Sequence, residues 1–440
     1  MLDTTLRSAA DMQSGQKETP NAKYASWCLF VLFLLASVGL QGADDAAGIA
    51  GDGSVIRQLG YIVTCAVTLY VCRGARWTTL APFSIVLAMG WCWLSVTWAI
   101  DPINSLRRLV LTTMLMVTIF AAVDVAGGQR TLKVFAWLTL VVLLFNYASV
   151  YGTSGGIHRG GSGDLTLAGN WRGAMGHKNF AGPFTAVTLF FLLLGPRILP
   201  NWLRWPAILL AAVFLWRTQS MTSIGLFLLC VPLAFVYMNL GVRGRALLLP
   251  IGTLLTVILA IAFAPEIAAA IEATGRYLSQ PDAMTGRGEV WSALLQFIGK
   301  NWLLGSGYGS LWGIGPNGPI QGIVSANSWV HDVYSGHNGH LDLLGQIGVP
   351  GMALSLVAFF VVPLARLSRT RSLPIRTNAL LLVILLFSLG HNFTESTLLS
   401  RDMILWLMHC LVLALIYTSL RRERASLETT SAEASPAELG

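Results

Sequence analysis

Charge is scarce in this chain. Only 11% of its 440 residues are Asp, Glu, Lys or Arg, while 54% are hydrophobic. A soluble domain carries roughly 25% charged residues, so the deficit excludes an ordinary soluble protein and makes lipid the solvent. Cysteine is scarce too. Its six copies (Cys28, Cys65, Cys72, Cys92, Cys230 and Cys410) all fall in or at the ends of apolar runs. That excludes a disulfide framework and a cysteine-type zinc site in the loops. The two-residue alternation of barrel strands is missing, which leaves helices as the spanning form. No small-x-small cleavage site follows the first apolar run, which therefore reads as a retained span.

What is present is a series of apolar runs. They predict an all-α polytopic membrane protein of about twelve transmembrane helices, at 24–41, 54–72, 80–99, 106–125, 131–150, 179–195, 203–217, 221–240, 246–265, 346–364, 377–394 and 402–420. Residues 1–23 form a cytoplasmic N-terminal segment, 24–420 one transmembrane domain and 421–440 a cytoplasmic tail. The polar, small-residue stretch 425–440 reads as disordered. Of the 29 Lys and Arg residues, 18 fall in alternate connections and at the two termini. The positive-inside rule puts these, and both termini, in the cytoplasm. Spread over seven short segments they form no stripe, which speaks against a nucleic-acid partner.

Two outward loops are long, 151–178 and 266–345. The first holds nine glycines in its first 26 positions. In the second, 287–300 has helical periodicity, with Val290, Trp291, Leu294, Leu295, Phe297 and Ile298 on one face. The outward basic residues are Arg57, Arg107, Arg108, Arg159, Arg172, Lys178, Arg217, Arg276, Arg287, Lys300 and Arg401. Each alone is as well explained by snorkelling to headgroups. As a set facing one compartment with few local carboxylates, they favour an anionic ligand, and arginine forks suit phosphate oxygens.

Three polar clusters accompany them. Residues 169–183 gather Arg172, His177, Lys178 and Asn179 beside a glycine-rich stretch whose N–H groups could approach a phosphate. Residues 330–351 hold His331, His337 and His340 with Asp332 and Asp342. There His337 could serve as a general base, the cluster could bind zinc, or these could be plain polar loop residues. The spacing fits no helical His-x-x-x-His zinc site. Residues 391–402 place His391, Glu395 and Arg401 on the same face, where Glu395 could orient a base or bind a sugar hydroxyl, or only solvate a helix end.

These residues carry a resemblance. His337-Asn338, nine residues, then Gly348-Val349-Pro350-Gly351 resembles the His-Asn-x9-Gly-x-x-Gly signature of the O-antigen ligase and polymerase superfamily of bacterial membrane glycosyltransferases. Gly286-Arg287-x-x-x-Trp291 is similar to its Gly-Arg-x-x-x-Trp. Trp171-Arg172-Gly173 through His177-Lys178-Asn179, Trp98-Ala99-Ile100-Asp101-Pro102 with Ser105-Leu106-Arg107-Arg108, and Asn392-Phe393-Thr394-Glu395-Ser396 resemble the exopolysaccharide polymerase branch. The chain departs at Met352-Ala353, where ligases often have Thr-Thr. It departs again at Ser220-Met221-Thr222-Ser223, which lacks the basic residue that many relatives carry there; Arg217, one turn earlier, is the substitute on offer.

The resemblance implies a C-type membrane glycosyltransferase fold in the bacterial inner membrane with a periplasmic active site. The donor would be a glycan on polyprenyl diphosphate. The acceptor would be a glycan hydroxyl in a polymerase, or lipid A-core or a protein in a ligase, and a chain-length regulator would be a further partner. His337 would be the base. Arg172, Lys178, Arg217 and Arg287 would hold the diphosphate, with Arg107, Arg108 and Arg401 in support and His177, Asn338 and Glu395 lining the substrate. No nucleotide sugar or other cofactor is implied, because the donor is already activated, and no metal is expected, because the outward loops lack a convincing carboxylate cluster. The competing class is a transporter or flippase for a lipid-linked sugar, which predicts ionisable residues through the midplane and Gly/Pro-broken paired helices.

Overall fold

The computed structural model describes residues 20–37, 55–75, 80–159, 167–248, 250, 287–315, 318–325, 328–370 and 372–434. Among them there is no β-strand, only an isolated bridge between Ile157 and Trp171. The helices are α1 (Pro20–Ser37), α2 (Val55–Val71), α3 (Phe83–Ser95), α4 (Pro102–Ala126), α5 (Gly128–Gly152), α6 (Lys178–Leu194), α7 (Asn201–Thr218), α8 (Met221–Asn239), α9 (Arg287–Asn301), α10 (Gly339–Arg369), α11 (Ile375–His391) and α12 (Ile404–Ala434). Five of these, α4, α5, α8, α10 and the Ile404–Ala425 part of α12, are long and apolar enough to cross a membrane. The chain is thus an all-helical protein with the apolar helices of a membrane protein. A helix occupies each expected span except 246–265, which lies almost wholly outside the described residues.

The apolar pattern decides which helix is central. In α12, 83% of the spanning window is buried, against 22% in α8. On α7 the exposed residues Trp202, Trp205, Leu209, Val213 and Trp216 recur at helical spacing. An apolar stripe turned outward, away from the core, fits contact with lipid rather than water.

Local chemistry sets the helix ends near the loops. The Asp101 side chain caps α4 by accepting from the Asn104 N–H at 3.0 Å, and Pro102 opens the helix. Gly127, at φ 81°, alone joins α4 to α5. Helix α10 kinks at Gly348, at φ 65°. A side chain there would collide with the Leu303 carbonyl, and one at Gly351 would run into the Trp91 ring. The kink leaves the Ile347 carbonyl to accept from Trp91 Nε1 at 2.9 Å, while the Val349 N–H donates to the Trp302 carbonyl at 2.9 Å. The Gly-x-x-Gly of 348–351 is therefore a packing device that seats α10 against α3 and the end of α9.

Three expectations need correction. Residues 425–434, read from composition as disordered, continue α12 to Ala434. Their Ala, Leu and Glu are strong helix formers extending an existing helix, so no nucleation cost stands in the way. Residues 339–345, read as loop, form the first two turns of α10. On α9 the buried face is Val290, Ala293, Leu294, Phe297 and Ile298, whereas Leu295 is exposed. Leu295 sits five residues from Val290, off the i, i+3, i+4, i+7 stripe.

Candidate functional site

The N-terminal ends of α6 and α10, Arg287 of α9 and the turn after α11 meet at Glu395. Its Oε1 accepts from Arg287 Nη2 at 2.7 Å and from Asn179 Nδ2 at 2.6 Å. Its Oε2 lies 3.2 Å from His337 Nδ1. Side-chain exposure is 13% for Glu395, 21% for Arg287 and 35% for His337, so the histidine is the most open of the three. Burial alone would raise the Glu395 pKa. The hydrogen bond from His337 and the charges of His337 and Arg287 outweigh it and hold the carboxyl below its ordinary value.

The backbone around His337 is fixed from several sides. His337 adopts a left-handed conformation, φ 48°, which a residue with a Cβ sustains only when its surroundings impose it. Here they do. The Gly336 N–H donates to both Asp342 oxygens, at 3.1 and 2.9 Å, and the Gly336 carbonyl accepts from Trp291 Nε1 at 2.8 Å. Trp312 Nε1 donates to Asp342 Oδ1 at 2.7 Å. On the other side of His337, the Asn338 side chain caps α10 by accepting from the N–H groups of His340 and Leu341. The Asn338 N–H donates to Ser396 Oγ at 3.0 Å, and the Gly339 N–H to the Asn392 carbonyl at 2.8 Å. A Cβ at Gly339 would strike Asn392 Oδ1. The two turns, 336–339 and 392–396, are thus locked face to face.

Asn392 holds the second turn. Its amide donates to the Ser388 carbonyl and Thr397 Oγ1, and its Oδ1 accepts from the Thr397 and Leu398 N–H groups. The first turn of α8 touches the same turn through a 2.8 Å contact between Thr222 and Thr394 hydroxyls.

The first loop delivers Asn179. The His177 ring caps α6, its Nδ1 accepting from the Asn179 N–H at 3.1 Å. His177 packs edge-on to His158 at 5.0 Å, and the Lys178 N–H donates to His158 Nε2 at 3.2 Å. Burial first, then His158, pushes the His177 pKa down to about 4, so the ring is neutral near pH 7. Burial likewise lowers His158.

The remaining expected site residues divide by what they touch. Arg172 donates from Nε to the Gly155 carbonyl at 2.6 Å and from Nη1 to the Gly176 carbonyl at 2.9 Å. Arg108 donates to the carbonyls of Gly309, Trp312 and Gly313. Both guanidiniums hold glycine-rich turns. Arg401 lies with Arg57 around Asp402; both arginines are buried, and the carboxylate is partly exposed. Arg217 places its guanidinium 5.1 Å over the Trp171 ring. Lys178 Nζ reaches the Gln219 carbonyl at 3.4 Å. Arg107 sits half-buried in the second turn of α4. The structure therefore brings together His337, Arg287 and Glu395, with Asn338 as the cap behind them and His177 and Lys178 alongside Asn179. It sets Arg108 and Arg172 to loop anchoring.

Sequence reasoning passed over Asn179 as a ligand of Glu395, and over Asp342, Trp291 and Trp312 as the clamp on Gly336. Trp291 had a signal in its fixed distance from Arg287, four residues or one helical turn, which sets both on the same side of α9. The other three carried none, because their partners lie 6 to 216 residues away.

Among the described residues no group of three His, Cys, Asp or Glu is arranged to hold a metal ion. The cluster can do something else. Glu395 facing Nδ1 favours the tautomer with its proton there, leaving Nε2 as the basic nitrogen. No hydrogen bond engages Nε2 among the described residues. No family model matches this chain, and no curated protein matches it.

Proposed function

We propose that the chain is a membrane glycosyltransferase that moves a glycan from polyprenyl diphosphate onto an acceptor sugar hydroxyl, as a polymerase of a repeat-unit polysaccharide. The observation that carries this reading is the convergence of His337, Arg287 and Asn179 on Glu395. These come from three motifs that resemble one superfamily and lie far apart in sequence. His337 Nε2 takes the proton of the acceptor hydroxyl. The hydroxyl oxygen bonds to the anomeric carbon, and the bond from that carbon to the diphosphate oxygen breaks. The polyprenyl diphosphate leaves with the bonding pair. Glu395 fixes the tautomer and stabilises the imidazolium that forms. Arg287, Lys178 and Arg217 oppose the charge that grows on the leaving group, usually a large catalytic contribution.

The same chemistry serves a ligase acting on lipid A-core or a protein. The polymerase is favoured because Asn179, which touches Glu395, ends the run that resembles the exopolysaccharide branch. A transporter is disfavoured because the cluster sits at helix ends rather than along a midplane path. The test is complementation of a deletion strain with His337→Ala or Arg287→Ala, with protein levels in the membrane checked. Loss of polymer with accumulation of lipid-linked repeat units supports the proposal. Normal polymer from both variants refutes it.

A further inference from the structure

At the opposite end of α6 a second cationic site is built from three arginines, in the α6–α7 connection, the first turn of α7 and the start of α11. Helix α6 has 17 residues, so its two ends are about 25 Å apart. At its C-terminus Arg204 donates from Nε to the Leu192 carbonyl at 2.7 Å and from Nη2 to the Leu193 carbonyl at 2.9 Å. Arg376, at the start of α11, donates from Nη2 to the same Leu193 carbonyl at 2.7 Å. Two guanidiniums share one carbonyl oxygen, and Arg197 acts on Arg204 by charge as well. A helix C-terminus offers roughly half a negative charge, which capping arginines can answer. Three arginines exceed that by far, and the charges that act on Arg204 are both positive.

The surplus borders a narrow crevice of about 10 Å³, lined by Ala136, Phe191, Pro196, Ile198 and Leu199 together with Arg197 and Arg204. Arg204 Nη1 and Arg376 Nε and Nη1 make no hydrogen bond among the described residues, so both forks keep donors for a further acceptor. Guanidinium donors beside an apolar cleft match a phosphate attached to hydrocarbon rather than a fully hydrated anion. In the orientation expected from the Lys and Arg distribution, this end lies at the cytoplasmic leaflet, where such lipids carry the negative charge.

We infer that Arg197, Arg204 and Arg376 hold the phosphate of an anionic phospholipid at the mouth of the crevice between α5, α6 and α7. The site would brace the far end of the helix that carries Asn179, and it does not depend on the glycosyltransferase reading.

The test uses the full-length protein purified in detergent and titrated with dioleoyl phosphatidylglycerol, dioleoyl phosphatidylcholine or inorganic phosphate. Retained lipid is followed by native mass spectrometry and stability by Tm. Phosphatidylglycerol is expected to be retained and to raise Tm more than phosphatidylcholine. Arg197→Gln and Arg376→Gln are each expected to weaken it about fivefold. Arg243→Gln, an exposed cation away from the crevice, should leave retention unchanged. Arg204 is left intact because its loss would uncap α6. Equal effects of the two lipids, or an equal loss in the Arg243 variant, would overturn the inference. An equal rise in Tm with inorganic phosphate alone would overturn the lipid assignment in favour of a soluble phosphate.

Discussion

Replacing Glu395 with Gln keeps the shape of the side chain and removes its charge. The carboxylate serves three partners at 2.6, 2.7 and 3.2 Å and is only 13% exposed. The amide oxygen of a glutamine can still accept from Asn179 or Arg287. Its NH₂ must then face His337 Nδ1, which forces that nitrogen to accept and moves the ring proton to Nε2. The basic nitrogen now points inward. In a catalytic triad the equivalent acid-to-amide change costs about 10⁴ in kcat by imposing the wrong tautomer, and a loss of that order is expected here. Stability falls too. Removing one partner of a buried ion pair costs about 3–5 kcal/mol; with Arg287 21% exposed and Asn179 still paired, about 2 kcal/mol is expected. The assay is polymer formation by purified protein in proteoliposomes, with Tm measured on the same samples. Glu395→Asp, which keeps the charge but shortens the reach, should recover part of the activity. Wild-type turnover by Glu395→Gln at equal protein level would refute the tautomer argument.

Three further outcomes follow from the same geometry. Gly339→Ala should abolish accumulation of folded protein, because its methyl group meets Asn392 Oδ1; Gly152→Ala, with open space around it, should not, and immunoblots of membranes distinguish the two. Arg108→Gln should lower Tm while leaving KM for the donor near wild type, because its guanidinium binds three carbonyls and each such charged hydrogen bond contributes about 1.5–3 kcal/mol. His177 has a folded pKa of about 4 against 6.5 for the ordinary group, so between those values the unfolded chain binds more protons and stability rises with pH. The contribution is on the order of 3 kcal/mol across that window. His177→Asn, which retains an N-cap acceptor, should flatten the slope of Tm against pH between 4 and 6.5. Glu395, held below 4.5, contributes stability that is lost only as the pH falls under that value.

The helical architecture could be read from the sequence because lipid imposes it: apolar runs of fixed length leave the backbone no other way to satisfy its hydrogen bonds. The ends were less legible. The start of α10 at Gly339 depends on the Asn338 cap; the motif marks Asn338 as a substrate residue, and its capping role shows only in its acceptor bonded to two N–H groups. The site divides in the same way. His337, Glu395 and Arg287 stood out by residue type and by motif. A count of outward arginines could not tell Arg287, which faces a carboxylate, from Arg108 and Arg172, which face carbonyls. That distinction is made by glycine-rich turns folding over the guanidiniums, and their partners, the carbonyls of Gly309, Trp312 and Gly313 and of Gly155 and Gly176, carry no charge to mark them.

The central claim is that His337 and its Glu395-centred cluster transfer a glycan from polyprenyl diphosphate. The most direct measurement is release of polyprenyl diphosphate from a lipid-linked repeat unit by the purified protein in proteoliposomes, compared with His337→Ala. The account predicts one polyprenyl diphosphate released per new glycosidic bond by the wild type and a loss of at least about a thousandfold in the variant. Equal release by the two proteins, or bond formation without release, would contradict it.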